Sequence, residues 1–346
     1  MTDHTEASTY AALGVDLAGA EAAKRRIGAL VASTRTPLSL GGIGAFGGMV
    51  QVPQGMRQPV LVMSTDGVGT KVLVAKLAGR LDTVGECLVN HSVNDILVHA
   101  ARPIAFMDYL AGADLTVQQI ADLVEGIARG CRAHGMALAG GETASMPGLY
   151  RSGDFDLAGT IIGVVEKDEA LHGDLVRPGD QLVGLASTGL HTNGYTLARQ
   201  VIFETLGHRV DALVPELGVT AAEALLAVHR SYVAAMRTVL GRVHALAHIT
   251  GGGIPGNLVR VLPDGCAAIV DPRTWELPPL FRLLQDAGKV SDGEMREVFN
   301  CGIGMIAVVP AESVSAVRAA ASADGVASWV IGEIVAGDRT VRYSDT

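Results

Sequence analysis

The apolar rhythm of this 346-residue chain breaks for more than ten residues at one place, EKDEALHGDLVRPGD (166–180). The chain is longer than the ~250–300 residues at which a single core stops growing, so the break reads as a domain boundary. It separates residues 1–168 from residues 169–346. Each half alternates short aliphatic runs, turn-rich loops and helical stripes, which predicts an α+β chain of two mixed α/β domains.

In the first half VLVM (60–63) reads as a buried strand running into the turn-rich STDGVGT. In LTVQQIADLVEGIARGCRAHG, the apolar residues Ile120, Leu123, Val124, Ile127 and Cys131 make a helical stripe. Thr116 and Gln119 form a capping box at its start, and Gly135 closes its end. MALAGGET and DLAGTIIGVVE (156–166) follow as strands. In the second half QLVGLAS (181–187), CAAIV (266–270) and GMIAVV (304–309) are expected as strands. Helices are expected from about Gly194 to Leu206, over Ala221–Leu240 and around 279–287.

With 27 Lys+Arg against 36 Asp+Glu the net charge is −9, and no basic run could neutralise a row of phosphates, so nucleic acid is not an expected partner. Cys87, Cys131, Cys266 and Cys301 show no C-x-x-C spacing, which predicts free thiols in a reducing compartment. The N-terminus MTDHTEASTYAALGVD lacks an apolar signal core, and no stretch approaches ~18 uninterrupted apolar residues. A cytoplasmic protein without a membrane partner is expected.

The 43 glycines, well above the usual ~7%, cluster at 41–48, 140–141 and 251–253. GGIGAFGG (41–48) contains a literal G-x-G-x-x-G. A dinucleotide fingerprint also needs a preceding strand, a following helix and a later acidic residue, whereas Pro37 and Pro53 bracket this loop and no helical period follows. The G-x-x-x-x-G-K-[ST] spacing of a P-loop is absent too. Two readings remain: a flap whose backbone amides at Gly41, Gly42, Gly44 and Gly47 fold over a polyphosphate, or a plain surface loop.

STDGVGTK (64–71) offers Asp66, Gly67, Gly69, Thr70 and Lys71, VNDI (93–96) offers Asn94 and Asp95, and GGET (140–143) offers Gly141 and Glu142. Three acidic groups on strand-end loops suit Mg²⁺, which takes oxygen ligands and bridges to nucleotide phosphates. Each alone is equally a turn-former or helix cap. STGLHTNGY (187–195) sets Ser187, Thr188, His191 and Asn193 in one loop leading to a helix, an anion- or amide-binding arrangement in which His191 is either structural or a general acid/base. HITGGGIPGN (248–257) adds a nest at Gly251, Gly252 and Gly253 flanked by His248, Thr250 and Asn257.

In this order GGIGAFGG, TDGVGTK, VNDI, GGETASMPG, STGLHTNGY, HITGGG and FNCGIGM span nearly the whole chain and closely resemble the aminoimidazole ribonucleotide synthetase family, the phosphoribosylformylglycinamidine cyclo-ligases of purine biosynthesis. The wider superfamily includes formylglycinamidine ribonucleotide amidotransferase, selenophosphate synthetase, thiamine-monophosphate kinase and a hydrogenase maturation factor. The resemblance implies ATP-dependent ring closure of formylglycinamidine ribonucleotide, with release of ADP and phosphate. It also implies a homodimer in which N-terminal-domain strands form a barrel across the interface. Carried over motif by motif, Asp66, Asp95 and Glu142 would hold Mg²⁺ and the phosphates, with Asn94 and Gly141 beside them, and Lys71 would offset phosphate charge. Gly41–Gly48 would be the closing flap, His191 and Asn193 would face the substrate amidine beside Ser187 and Thr188, and Gly251–Gly253 would lie near the ribose phosphate. The resemblance also admits K⁺ as a further cation.

Ser145 stands where the family pattern has Glu, Ser92 where it has Cys, AARP (100–103) where it has GAEP, and Leu110 where it has Tyr. None of these removes a proposed metal ligand. Selenophosphate synthetase would want a cysteine in the N-terminal Gly-rich region, yet the first is Cys87, and the maturation factor would want a C-terminal cysteine, yet this chain ends YSDT. HTNGY and FNCGIGM favour the cyclo-ligase over thiamine-monophosphate kinase. A catalytically silent ATP-binding protein would not need the acidic set.

Overall fold

The computed structural model describes residues 17–40 and 46–344, with side chains from residue 22 onward. Helix α1 (Leu17–Ala32) is followed by a short ladder of β1 (Ser39–Leu40) and β2 (Met49–Val50). The N-terminal half is built on four strands, β3 (Pro59–Gly67), β4 (Arg102–Gly112), β5 (Ala137–Ser145) and β6 (Phe155–Glu166). Their order is β3-β6-β4-β5, and only the β4–β5 pair is parallel. Three helices complete this half: α2 (Lys71–Ala78), α3 (Asp82–Leu97) and α4 (Val117–Ala133).

The expected capping box is present: Thr116 Oγ1 accepts from Gln119 N–H while Gln119 Oε1 accepts from Thr116 N–H. Gly135 follows in the left-handed conformation that ends the helix, at φ 62°. Helices α3 and α4 touch at glycine, because a Cβ on Gly126 would lie 1.9 Å from the Asp82 carbonyl oxygen. The pair covers one face of the sheet and buries Leu88, Ile96, Leu123 and Ile127 completely. The other face carries Leu61, Met63 and Tyr109 in the open.

At the end of α4 the half-buried His134 donates from Nε2 to Asn90 Oδ1 over 3.0 Å, and burial pulls its pKa down to about 4. The unfolded chain binds a proton near pH 6.5 and the folded one does not. The contribution of the neutral ring is therefore whole above about pH 6.5 and is lost as pH falls towards 4. His134→Gln should flatten the fall in unfolding free energy between pH 7 and pH 5, read from urea melts, by on the order of 1–3 kcal/mol.

The C-terminal half holds a six-stranded sheet ordered β10-β12-β7-β13-β11-β14. Its strands are β7 (Gln181–Ala186), β10 (Ala245–His248), β11 (Cys266–Val270), β12 (Ile303–Val309), β13 (Ser328–Ala336) and β14 (Val341–Tyr343), with β8 (Leu213–Val214) and β9 (Val219–Thr220) paired apart. β12, expected from GMIAVV, is buried at every position. The surrounding helices are α5 (Tyr195–Arg199), α6 (Ala221–Leu225), α7 (Val233–Arg237), α8 (Gly253–Leu258), α9 (Pro279–Gly288), α10 (Asp292–Val298) and α11 (Val314–Ala323). The helix expected from Gly194 to Leu206 is α5 continued by a π-turn stretch, Gln200–Thr205.

The single helix expected over Ala221–Leu240 is a correction, because residues 226–232 leave helical geometry between α6 and α7. Their backbone groups are taken by side chains from elsewhere. Lys71 Nζ donates to Ala227 O, Thr188 Oγ1 to Val228 O, Asn90 Nδ2 to His229 O and Asn94 Nδ2 to Arg230 O. Tyr232 N–H in turn donates to Asn94 Oδ1. Each bond satisfies a backbone group that would otherwise be paired within a helix, so side chains of the first half hold an extended segment of the second. One hydrophobic core runs through both halves, joining Val72, Val84 and Leu88 with Leu190, Tyr195, Phe281 and Phe299.

Candidate active site

Asp66 sits near the end of β3 on the face covered by α3, and strand alternation puts Ser64 on the same side. On α3, His91 and Asp95 are one turn apart and share the helix face turned to that strand end. His91 Nε2 lies 2.6 Å from Asp66 Oδ2, off the ring N–H direction, and 3.5 Å from Asp95 Oδ2. Ser64 Oγ donates to Asp95 Oδ2 at 3.1 Å, and His248, at the end of β10, donates from Nδ1 to Asp95 Oδ1 at 2.8 Å. These groups line a cleft of about 450 Å³ whose second wall comes from Ala245–His248, Thr250, Asn257 and Arg260.

Burial alone would raise both carboxyls and depress His91. The mutual contacts win: His248 and His91 hold Asp95 far below the usual carboxylate range, His91 lowers Asp66, and the two carboxylates push His91 up to about 9. His191, His229 and His248 are driven down by burial and remain neutral. The cleft therefore presents two carboxylates beside one imidazolium.

A second cavity, about 580 Å³, lies at the opposite edge of the sheet and is lined by Phe46, Gly47, Gly48, Asp108, Gly141 and Glu142 among others. Burial raises the Asp108 carboxyl to about 7. A Cβ on Gly141 would lie 2.3 Å from Asp108 Oδ1, so the glycine makes room for that carboxyl.

The expectation that three acidic groups on strand-end loops converge is corrected here. Asp66 and Glu142 lie within strands, and Asp95 lies within a helix. Asp66 pairs with Gly159, Gly159 with Asp108, and Asp108 with Gly141. Glu142 is therefore three strand spacings from Asp66, roughly 14 Å, and on the other face of the sheet. Within one chain Asp66 and Asp95 share a site and Glu142 belongs to another.

Lys71 also departs from its expected task. It is fully buried, and its ammonium is consumed by Cys87 Sγ at 3.1 Å, His191 O at 3.0 Å and Ala227 O at 2.7 Å. Asn94 is likewise buried, with both ends of its amide bound to backbone of the 226–232 segment. Gly67 N–H donates to Asp66 Oδ1 at 2.7 Å, while Gly69 turns left-handed and Thr70 Oγ1 meets Thr196 Oγ1 at 3.3 Å. Gly41, Gly42 and Gly44 lie outside the described residues, and Gly47 lines the second cavity.

In the second half Ser187 Oγ is placed 3.0 Å from both Gly189 O and Asn300 Oδ1. His191 is buried in a left-handed conformation, accepts Thr188 N–H at Nε2 and stacks on His229 at 3.9 Å. Its Nδ1 has no hydrogen-bond partner. Asn193 stands beside the Gly251 nest, 3.3 Å from where a Cβ on Gly251 would be. Asn257 knits that nest by donating to the carbonyls of Thr250, Gly251 and Gly253. Gly253, at φ 59°, has no room for a side chain, since a Cβ would lie 1.8 Å from Arg296 O.

His91 and His229 were not singled out by sequence reasoning. His91 carried a usable signal, its four-residue spacing from Asp95 on a helix, whereas His229 sits in the segment expected to be helical.

The two halves correspond to known domains. Residues 48–165 match the family description "AIR synthase related protein, N-terminal domain", and residues 177–345 match its C-terminal counterpart. The fold is that of solved structures with little sequence in common. A thiamine-monophosphate kinase from Stenotrophomonas maltophilia superposes with TM-score 0.69 at 19% identity, covering 93% of this chain and 96% of that one. The hydrogenase maturation protein HypE in complex with ATP gives 0.62 at 17% identity, covering 91% and 89%. The chain is thus a two-domain AIR-synthase-related protein.

Curated relatives narrow the class. Phosphoribosylformylglycinamidine cyclo-ligase of Geotalea daltonii is 45% identical over 333 residues, 95% of this chain and 96% of that protein. That of Myxococcus xanthus is 47% identical over 333 residues with the same coverage. The chain belongs to the phosphoribosylformylglycinamidine cyclo-ligase family.

Proposed function

We infer that this protein closes the imidazole ring of formylglycinamidine ribonucleotide at the expense of ATP, yielding aminoimidazole ribonucleotide, ADP and phosphate. The observation that carries the reading is the cleft where Asp66 and Asp95 of the first half face His248, Thr250 and Asn257 of the second. An amide oxygen leaves only once phosphorylated, so the enzyme must neutralise a moving phosphoryl group and hold the attacking nitrogen in line.

The oxygen donors of Asp66 and Asp95 fit Mg²⁺, a hard cation, and would hold it where its charge offsets that of the phosphates. The chain's own residues do the rest. His91 orients both carboxylates, and His248 fixes Asp95. The backbone amides at Gly251 and Gly252 offer a cradle for the ribose phosphate without a basic patch, the Gly253 amide being spent on Thr250 O, and Asn193 beside them is placed for the amidine, with Ser187 and Thr188 shaping the loop. His191 stands behind that loop with a free ring nitrogen.

Glu142, Gly141 and Gly47 line the cavity at the far edge of the sheet from Asp66. A homodimer that joins sheets through the exposed Leu61, Met63 and Tyr109 face would bring such edges together, which favours the barrel across the interface and a nucleotide site shared between copies. Met63, 65% exposed, tests this: Met63→Glu should shift light-scattering mass from dimer to monomer, and an unshifted mass would remove this face from the interface. The domain division at 168/169, a cytoplasmic location and K⁺ as a further cation belong to the same reading. Among the described residues no helix is long and apolar enough to cross a membrane.

The deciding experiment follows ADP release with Mg-ATP, with and without formylglycinamidine ribonucleotide, and aminoimidazole formation in the same tube. Equal ADP and aminoimidazole, seen only with substrate, is expected. Tight ATP binding without aminoimidazole would send the search to other phosphoryl acceptors on this fold.

A further inference from the structure

Behind the two carboxylates, three histidines from separate parts of the chain converge: His91 on α3, His229 in the extended 226–232 segment, and His248 at the end of β10. All three are buried, and one ring nitrogen of each lies within 4.8 Å of the others. Their ring centroids form a nearly equilateral triangle, 5.2 Å for His91–His229, 5.1 Å for His91–His248 and 5.1 Å for His229–His248. A tetrahedral ion bound to three imidazoles through bonds of about 2.05 Å would set the centroids roughly 5.2 Å apart.

Two nitrogens already occupy such spacing. His229 Nε2 and His248 Nε2 are 3.0 Å apart, against about 3.3 Å for neighbouring ligands on a tetrahedral zinc ion. The surroundings have the form of a ligand-supporting shell. Asp95 accepts from His248 Nδ1, which leaves the Nε2 lone pair free, and Thr192 Oγ1 lies 2.8 Å from His91 Nδ1, which leaves Nε2 as that ring's other nitrogen. Buried polar atoms are nearly always paired, yet His229 Nδ1 has no partner; His91 Nε2 faces Asp66 and would give up its proton on ligating a metal. A proton shared between His229 and His248 leaves an unmatched lone pair on His229 Nδ1. A metal between the rings would take the Nε2 lone pairs of both His229 and His248 in place of that shared proton.

We propose that His91, His229 and His248 form a binding site for a borderline divalent transition ion of the Zn²⁺ class, with its fourth position open to the cleft. Nitrogen ligands separate it from a hard-cation site: imidazole suits Zn²⁺, whereas Mg²⁺ takes oxygen. The site does not rest on the cyclo-ligase reading, although it adjoins the same carboxylates. Its occupancy would lock the 226–232 segment to α3 and β10 and add positive charge beside Asp66 and Asp95.

The test uses the full chain stripped with a chelator and titrated with Co²⁺. One equivalent should produce the intense visible ligand-field band of four-coordinate cobalt, abolished by one equivalent of Zn²⁺ and indifferent to excess Mg²⁺. His229→Gln should weaken Co²⁺ binding at least ~10-fold, whereas Asp66→Asn should keep the band. A band that survives His229→Gln, or is lost in Asp66→Asn alone, would place the ion on the carboxylates and overturn the proposal, as would no saturable band in the wild type. X-ray absorption of the zinc-loaded wild type needs no variant: imidazole scattering from three rings is expected, and an all-oxygen shell refutes the site. Ring-closing activity is not a readout, so failure of this proposal and failure of the functional reading are distinguished.

Discussion

Asp66→Asn is expected to lower substrate-dependent ADP release at least ~100-fold while the protein stays folded. The carboxylate is half-exposed, and its partners are an imidazole and its neighbour's backbone N–H, so its loss to stability is limited to about 1 kcal/mol. Its loss to chemistry is larger, because a charge that stabilises phosphoryl transfer is replaced by a neutral amide. Steady-state turnover and a melting curve of the same preparation measure both quantities. Wild-type turnover in the variant would withdraw Asp66 from the metal site.

Lys71→Ala is expected to act on the fold instead. The substitution deletes a fully buried ammonium and leaves the carbonyls of His191 and Ala227 without their donor. Each buried carbonyl left unpaired costs about 1–3 kcal/mol, and the two together lower Tm by on the order of 10 °C. Lys71→Arg should also destabilise, because a planar guanidinium does not fit where a compact ammonium meets three acceptors. Were Lys71 a phosphate ligand, the alanine variant would keep its Tm and lose turnover; differential scanning calorimetry with an activity assay separates the two.

These two residues show where sequence reading succeeds and where it stops. Helix α4 was legible to within a residue or two, because its stripe, capping box and terminal glycine are local signals that agree with one another. Strand β11 was legible as CAAIV for the same reason, a short apolar run between turn residues. Asp66 and Asp95 were recognised as acidic groups in Gly- and Asn-rich motifs, and the structure does bring them to one cleft. The motif TDGVGTK does not tell that Asp66 faces the cleft while Lys71, five residues on, turns into the core. That depends on a helix beginning at Lys71 and on carbonyls some 120 and 156 residues away. Residues 221–240 have helical composition, and their extended middle is dictated by Asn90, Asn94, Thr188 and Lys71, all distant in sequence. Glu142 was grouped with Asp66 by motif order, and no local pattern reports the width of a sheet.

The asparagines of α3 and the buried lysine act together as a clasp. Because they grip the backbone of the second half, a substitution at Val228 or Arg230 leaves the grip intact, whereas loss of Asn90 or Asn94 releases it. Rotating one half away from the other would break these bonds together, at about 1 kcal/mol or more for each.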